Sequence, residues 1–302
     1  MLIQTGSTKA LLLASYDLRT GEVKELVHLA TRLKNPFTDI AVGSATIVWR
    51  TTRNESAGQV TDIWTAPITG GEATLRASTP SGGPVDDPEL LTSSSALVST
   101  DSFEGLSVAG DNIYWSTTNA GLWRLPLTGD TPPAPVPETA GYHLLSYPWI
   151  GKPDLFGRPK REAPAPVFGK LLNVETGETR TAAVPPDTQS WTCGLTRCMG
   201  PLPGDKDGIT QSRDGSAQRS LPSMDTASAT IAQDRFSVLR MHGKDRKALA
   251  VVLVDLQTGE TGLVGHRDTP TGLARHTLTH HSDLYSYSLN NKLIVIDLRA
   301  IH

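Results

Sequence analysis

This 302-residue chain has little of what most function classes need. Its charges nearly cancel, 28 Lys and Arg against 31 Asp and Glu, so nothing in the totals attracts nucleic acid. Its apolar runs, such as Ala10–Ala14 and Ala248–Val254, stop far short of the ~18 residues a membrane helix needs. After Met1 there is no charged segment followed by a long apolar core, so no signal peptide is visible. No glycine loop opens onto a helix to cradle a phosphate, and no motif asks for a cofactor. Gly105-Leu-Ser-Val-Ala-Gly110 has the wrong spacing for a nucleophile elbow and reads as a strand. Cysteine is nearly absent. The two thiols, Cys193 and Cys198, are too few to supply the four ligands of a structural zinc site.

What is abundant is punctuation. With 27 Gly, 21 Pro and 38% hydrophobic residues, the composition suits many short strands joined by turns and argues against helical bundles. The stretch Val254-Asp-Leu-Gln-Thr-Gly-Glu-Thr-Gly-Leu-Val264 reads as strand, tight turn and returning strand. The glycine fits a left-handed position after a type I turn, which makes a G1 bulge. Copies recur around Gly21, Gly70, Gly129 and Gly177, more weakly at Gly215, and in shortened form at Ile296–Arg299. A repeat of roughly 40–50 residues with several strands each is the mark of a propeller blade.

The spacing predicts an all-β chain, a single β-propeller over residues 1–302 with seven blades, six or eight being compatible. Strands fall at 1–5, 9–18 and 22–29, then 39–43, 46–50, 62–67 and 72–77. A loop rich in Ser, Thr, Pro and Asp follows over 80–103. The cleanest unit spans Gly105–Pro137 and ends in a proline-rich edge. The next, 142–184, carries a basic, proline-bearing insert at Lys152–Pro166. A unit over 228–265 opens with a strand at Thr230–Ala232, and the last unit begins with His276–His281. The first blade lacks an inner strand and the last an outer one. A start upstream of Met1, with a signal peptide, would complete both.

The repeated Asp-Leu-x-Thr-Gly-Glu turns, the Ile-Tyr-Trp and Ile-Val-Trp second strands, Trp191-Thr-Cys-Gly-Leu-Thr-Arg-Cys198 and the ending Asp297-Leu-Arg299 resemble the TolB-like β-propeller proteins of high-GC Gram-positive bacteria. The likeness covers nearly the whole chain and specifies blades, not chemistry. It implies an exported protein, extracellular or in the cell envelope. TolB itself binds a periplasmic partner and has an additional N-terminal domain for which this chain has no room, so its partner does not carry over.

The residues that would carry function are few. Cys193 and Cys198 read either as a disulfide across a turning strand or as two buried thiols. His276, His280 and His281 would form a metal or general-base site if they faced a central channel, and otherwise decorate a polar strand and loop. Trp149 and Trp191, near strand ends, would project into a groove or pack between blades. Phe156, Arg158, Lys160 and Arg161 make the insert the best contact loop, with a solvated insert as the plain alternative. These features favour a non-enzymatic, monomeric scaffold binding a protein or a cell-envelope ligand through loops on a rigid frame. The rivals are a propeller lyase or hydrolase with its site at the channel mouth, and a lectin-like sugar binder.

Overall fold

The computed structural model describes residues 2–7, 10–17, 19–29, 38–55, 58–81, 103–117, 121–152, 168–185, 191–201, 208–221, 224–226, 230–243, 245, 247–266, 284–289 and 292–301. The chain divides into two compact units, residues 1–147 and 148–302. The fold is all-β and of the propeller type, its repeat being an antiparallel four-stranded meander. Among the described residues a 3-10 turn at Leu298–Ala300 is the only helical element.

The first unit opens with a three-stranded meander, β1 (Leu2–Ser7), β2 (Ala10–Tyr16) and β3 (Val23–Leu29). A four-stranded sheet follows: β4 (Thr38–Val42), β5 (Thr46–Glu55), β6 (Gly58–Pro67) and β7 (Thr74–Ser81). The next comprises β8 (Phe103–Ala109), β9 (Asn112–Thr117), β10 (Gly121–Pro126) and β11 (Ala134–Pro135). β12 (His143–Ser146) is the unit's last strand.

Consecutive sheets pack face to face, and this explains the apolar triplet Ile47-Val48-Trp49. Successive strand residues point to opposite faces. Ile47 and Trp49 therefore meet Leu13, Leu26 and Val27 of the first sheet. Val48 points the other way, joining Ile63 against Leu106, Ile113, Trp115 and Leu125 of the third. A strand buried on both faces reads as a continuous hydrophobic run. Each such side chain contributes ~1.5–3 kcal/mol by leaving water. Polar latches supplement the core: Arg76 on β7 donates to Pro126 O at 3.2 Å and Gly129 O at 2.6 Å in the turn of the third sheet.

In the second unit, β13 (Trp149–Gly151), β14 (Lys170–Asn173) and β15 (Thr179–Thr181) pair antiparallel. They precede a sheet of β16 (Thr192–Cys193), β17 (Arg197–Pro201), β18 (Gly208–Ser212) and β19 (Arg219–Leu221). Then come β20 (Met224–Asp225), β21 (Phe236–His242), β22 (Ala248–Asp255) and β23 (Thr261–His266), and finally the pair β24 (Leu284–Leu289) and β25 (Lys292–Asp297). β22 repeats the logic of β5. Val252 and Val254 face Met199 and Leu221, whereas Val251 and Leu253 face Tyr285 and Leu298.

Three copies of the repeated turn, at 17–22, 173–178 and 255–260, share one bonding scheme. The side-chain oxygen of Asp17, Asn173 or Asp255 accepts from the amides two and three residues on. The Thr hydroxyl two residues before the final Glu accepts that residue's amide. The glycine amide bonds the first residue's carbonyl, four residues back, closing an α-turn. The glycines sit at φ 74°, 74° and 79°, where a Cβ is disfavoured. The copies at Gly70 and Gly215 close one residue sooner, on Pro67 O and Ser212 O, in the bulged form the sequence suggested. The Asp and Asn copies are longer because their side chains satisfy two extra amides.

Two strand readings need correction. Thr230–Ala232 does not form the inner strand of its sheet: Ala232 makes only an isolated bridge to Phe236 around a tight turn, and Met224–Asp225 takes the edge beside β21. β5 and β6 are also longer than the apolar pattern showed. Their polar ends are joined by Arg53 and Asp62, 2.7 Å apart, and by Ser78, whose hydroxyl donates to Asp62 at 2.6 Å.

Candidate functional site

The most elaborately built feature of the second unit is the stem from which the basic insert leaves the β13–β14 hairpin. The insert itself, with Phe156, Arg158, Lys160 and Arg161, lies outside the described residues, as do His276, His280 and His281. The stem is described on both sides. The Lys152 amide donates to Lys170 O at 2.9 Å, and the Phe168 amide donates to Lys152 O at 2.7 Å. The ladder thus slips, and Phe168 takes a left-handed backbone, φ 55°, unusual for an aromatic residue. Bulges of this kind terminate pairing and re-aim the chain beside functional loops. The Phe168 ring lies over Gly151, where a Cβ would stand 2.5 Å from its Cδ1.

Arg213 holds this stem from the neighbouring sheet. It is only 6% exposed. One guanidinium nitrogen, Nη2, donates to Phe168 O at 2.9 Å and Gly169 O at 2.6 Å. The other, Nη1, donates to Gly194 O at 2.6 Å. Among the described residues no carboxylate is hydrogen-bonded to it, so backbone carbonyl dipoles solvate the charge in place of water. Burial pushes its pKa down to about 10, nearby Asp234 opposes that, and Arg180 adds to it. The cation persists at neutral pH.

Gly194 belongs to the hairpin between β16 and β17, which a disulfide joins. Cys193 and Cys198 are register partners, bonded to each other and wholly buried. Neither is therefore available as a nucleophilic thiol. The same turn is capped from the next sheet. Asp234, in a turn where Gln233 and Asp234 both have left-handed backbone, φ 52° and 53°, accepts the Thr196 amide at 2.8 Å and the Thr196 hydroxyl. Asp tolerates that conformation better than most residues.

The two candidate tryptophans part company. Trp191 is a core residue, 1% exposed, with its ring against Gly200 and its indole N–H donating to Pro201 O at 3.0 Å. It packs with Cys193, Cys198 and Ile209, so it offers no face to a ligand. Trp149 is half-buried on β13, and the Arg180 guanidinium lies 4.2 Å over its ring, held there by Glu178 at 2.8 Å. One face of that ring is already taken by a cation. Among the described residues no group of three His, Cys, Asp or Glu side chains is placed to hold a metal, and no helix is long and apolar enough to cross a membrane.

Sequence reasoning found the insert but missed Arg213, Phe168 and Asp234. No local pattern marks them: Arg213 meets partners 19, 44 and 45 residues away.

No protein-family profile matches the chain, and no curated protein sequence does. Solved structures do. The uncharacterized protein lmo1340 from Listeria monocytogenes EGD-e aligns over 99% of this chain and 88% of its own, with TM-score 0.52 and 9% identity. That likeness is one of fold. The β-propeller domain of the Trilobed protease from Pyrococcus furiosus aligns over 89% of this chain and 80% of its own, with TM-score 0.46 and 12% identity. BamB from Moraxella catarrhalis aligns over 97% and 80%, with TM-score 0.45 and 12% identity.

Proposed function

We propose that this protein is a non-enzymatic binding scaffold that engages a protein or cell-envelope ligand through the basic insert on the β13–β14 hairpin. The observation that carries this reading is the construction of the stem. A buried arginine and a left-handed phenylalanine meet where the chain returns from the insert, and a slipped ladder ties that point to Lys152, where the insert departs. Such outlays in backbone conformation and buried charge concentrate where a loop must be presented in one direction. Residues 152–161 hold four cations, Lys152, Arg158, Lys160 and Arg161, against one carboxylate, Asp154, in a chain whose net charge is −3. A partner with an acidic surface fits that contrast. Export to an oxidising compartment is the setting in which the Cys193–Cys198 bond is stable, and we place the protein there.

The test is a crosslinking capture from the envelope and culture fluid of the source cells, with the whole chain and an R158E/K160E/R161E variant as baits. A stoichiometric partner held by the native chain and lost by the variant is the expected result, circular dichroism confirming that the variant is folded. Equal capture by both baits refutes the role of the insert.

A further inference from the structure

We propose that the Cys193–Cys198 disulfide governs the stem of the β13–β14 insert through Arg213, so that the bonding between Lys152 and Phe168 is held fully only while this pair is oxidised. Its functional meaning rests on the reading of the insert as the contact segment; the coupling itself does not.

The turn between β16 and β17 is held from two ends: Asp234 accepts the Thr196 amide and hydroxyl, and the disulfide fixes the Gly194 end, which is the end the Arg213 side chain uses. β16 is a two-residue strand at the edge of its sheet, joined to β17 through the register pairs Thr192↔Met199 and Cys193↔Cys198. Beyond it, the Gly194 amide bonds Arg197 O at 2.7 Å. From this short turn Arg213 takes two contacts. Its side chain donates to Gly194 O, and its amide donates to Thr196 O at 2.8 Å. Gly194 O is one of three carbonyls that bond Nη1 and Nη2 of a guanidinium whose buried Nε has no partner, and no carboxylate is hydrogen-bonded to it, among the described residues. When a buried cation loses a partner, the unpaired donor costs more than the bond contributed. The guanidinium then gains by leaving for water, and Phe168 O and Gly169 O lose their donor with it. Phe168 keeps its left-handed backbone only because its surroundings impose it, so that is the residue expected to relax. Arg213 is thus a positioning residue whose own geometry the disulfide maintains.

The redox step is a two-electron thiol–disulfide exchange. An external dithiol attacks the Cys193–Cys198 bond, the sulfur–sulfur bond breaks, two protein thiols form, and the reagent closes to its own disulfide. Both cysteines are fully buried, so the exchange waits for the hairpin to open.

The experiment is amide hydrogen exchange on the full chain, oxidised and then reduced with dithiothreitol, two free thiols being verified by mass. On reduction the Phe168 and Lys152 amides should exchange about tenfold faster, while the Leu127 amide, bonded to Asp111 O in the other unit, keeps its rate. If the Gly194 amide loosens and the Phe168 and Lys152 rates do not move, the coupling is wrong. An Arg213→Lys variant guards against general loss of structure. With the disulfide intact it should loosen Phe168 and leave Gly194 protected; unchanged Phe168 exchange removes Arg213 from the argument. Partner capture is scored separately. A stem that loosens while capture is unchanged supports the coupling and refutes the insert as contact segment.

Discussion

Asp255 and Arg235 are joined through a single carboxylate oxygen. Oδ2 of Asp255 accepts from Arg235 Nη2 at 2.6 Å and from Nε at 2.9 Å, which leaves Oδ1 to accept the Gln257 amide at 2.8 Å. Arg235 also donates to Ile301 O at 2.8 Å. One side chain thus caps a turn and orders the arginine that holds the last described residue of the chain. The exposed Asp17 caps an identical turn with no arginine side chain bonded to it among the described residues. Asp255→Ala should therefore lower unfolding stability by about 2 kcal/mol, the turn cap and a half-buried ion pair being lost together. Asp17→Ala should shift the urea midpoint far less. Equal effects of the two would show that the turn, not the ion pair, is what matters.

Acid should destabilise the fold through these same carboxylates. Burial alone would raise Asp255, but the hydrogen bonds from Arg235, Gln257 and Thr258 outweigh it and hold the group below its ordinary value. The amides of Arg19 and Thr20 lower Asp17, the hydroxyl and amide of Ser216 lower Asp214, and the Arg299 side chain lowers Asp297. A carboxylate with a depressed folded-state pKa stabilises fully above its unfolded value and loses that contribution as pH falls through the folded one. The denaturant midpoint should be flat above about pH 5 and decline below about pH 4. Asp255→Asn should flatten the decline; an unchanged acid limb in that variant would count against the assignment.

Tyr285 offers a prediction of opposite sign. Its ring is 2% exposed in the core beside Phe236 and Val251, yet its hydroxyl has no hydrogen-bond partner among the described residues. Tyr285→Phe removes a buried, unsatisfied donor and should raise stability by about 1 kcal/mol. Burial, with a smaller contribution from Tyr287, also pushes the phenol up to about 12. The folded state keeps this proton where the unfolded chain releases it. The resulting stabilisation is complete below about pH 10 and fades as pH rises toward about 12. Thermal melts of the two proteins across alkaline pH would read both effects, and a less stable Phe variant at neutral pH would refute the first.

Two glycine substitutions separate backbone strain from crowding. Gly177 has φ 74° and open space around it, so Gly177→Ala should cost only the left-handed penalty, about 1 kcal/mol. At Gly200 a Cβ would stand 2.5 Å from three atoms of the Trp191 indole. Gly200→Ala should cost about 3 kcal/mol and shift Trp191 emission as the ring is displaced. An unaltered emission spectrum would contradict the placement of Trp191 in the core.

What was legible in the chain is what depends on neighbours in sequence. The Asp-x-x-Thr-Gly-Glu turns are closed by bonds spanning two to five residues, so their composition alone announces them. Strand alternation is equally local, and the apolar runs at Ile47–Trp49 and Val251–Val254 marked strands, though that both faces of each are buried emerged only from the packing of the sheets. The long ends of β5 and β6 escaped because a polar strand carries no hydrophobic period, only a distant pairing such as Arg53 with Asp62.

The site divides the same way. Composition determined that a basic, proline-bearing insert interrupts one repeat, and that two cysteines stand five residues apart. Only the tertiary structure decided that Trp191 is core while Trp149 lies under Arg180, and that Arg213 reaches Phe168, Gly169 and Gly194. The reason is that a buried cation is defined by the carbonyls around it. Those carbonyls are backbone groups common to every residue, brought together from separate sheets, and nothing in their local sequence distinguishes them before the sheets have packed.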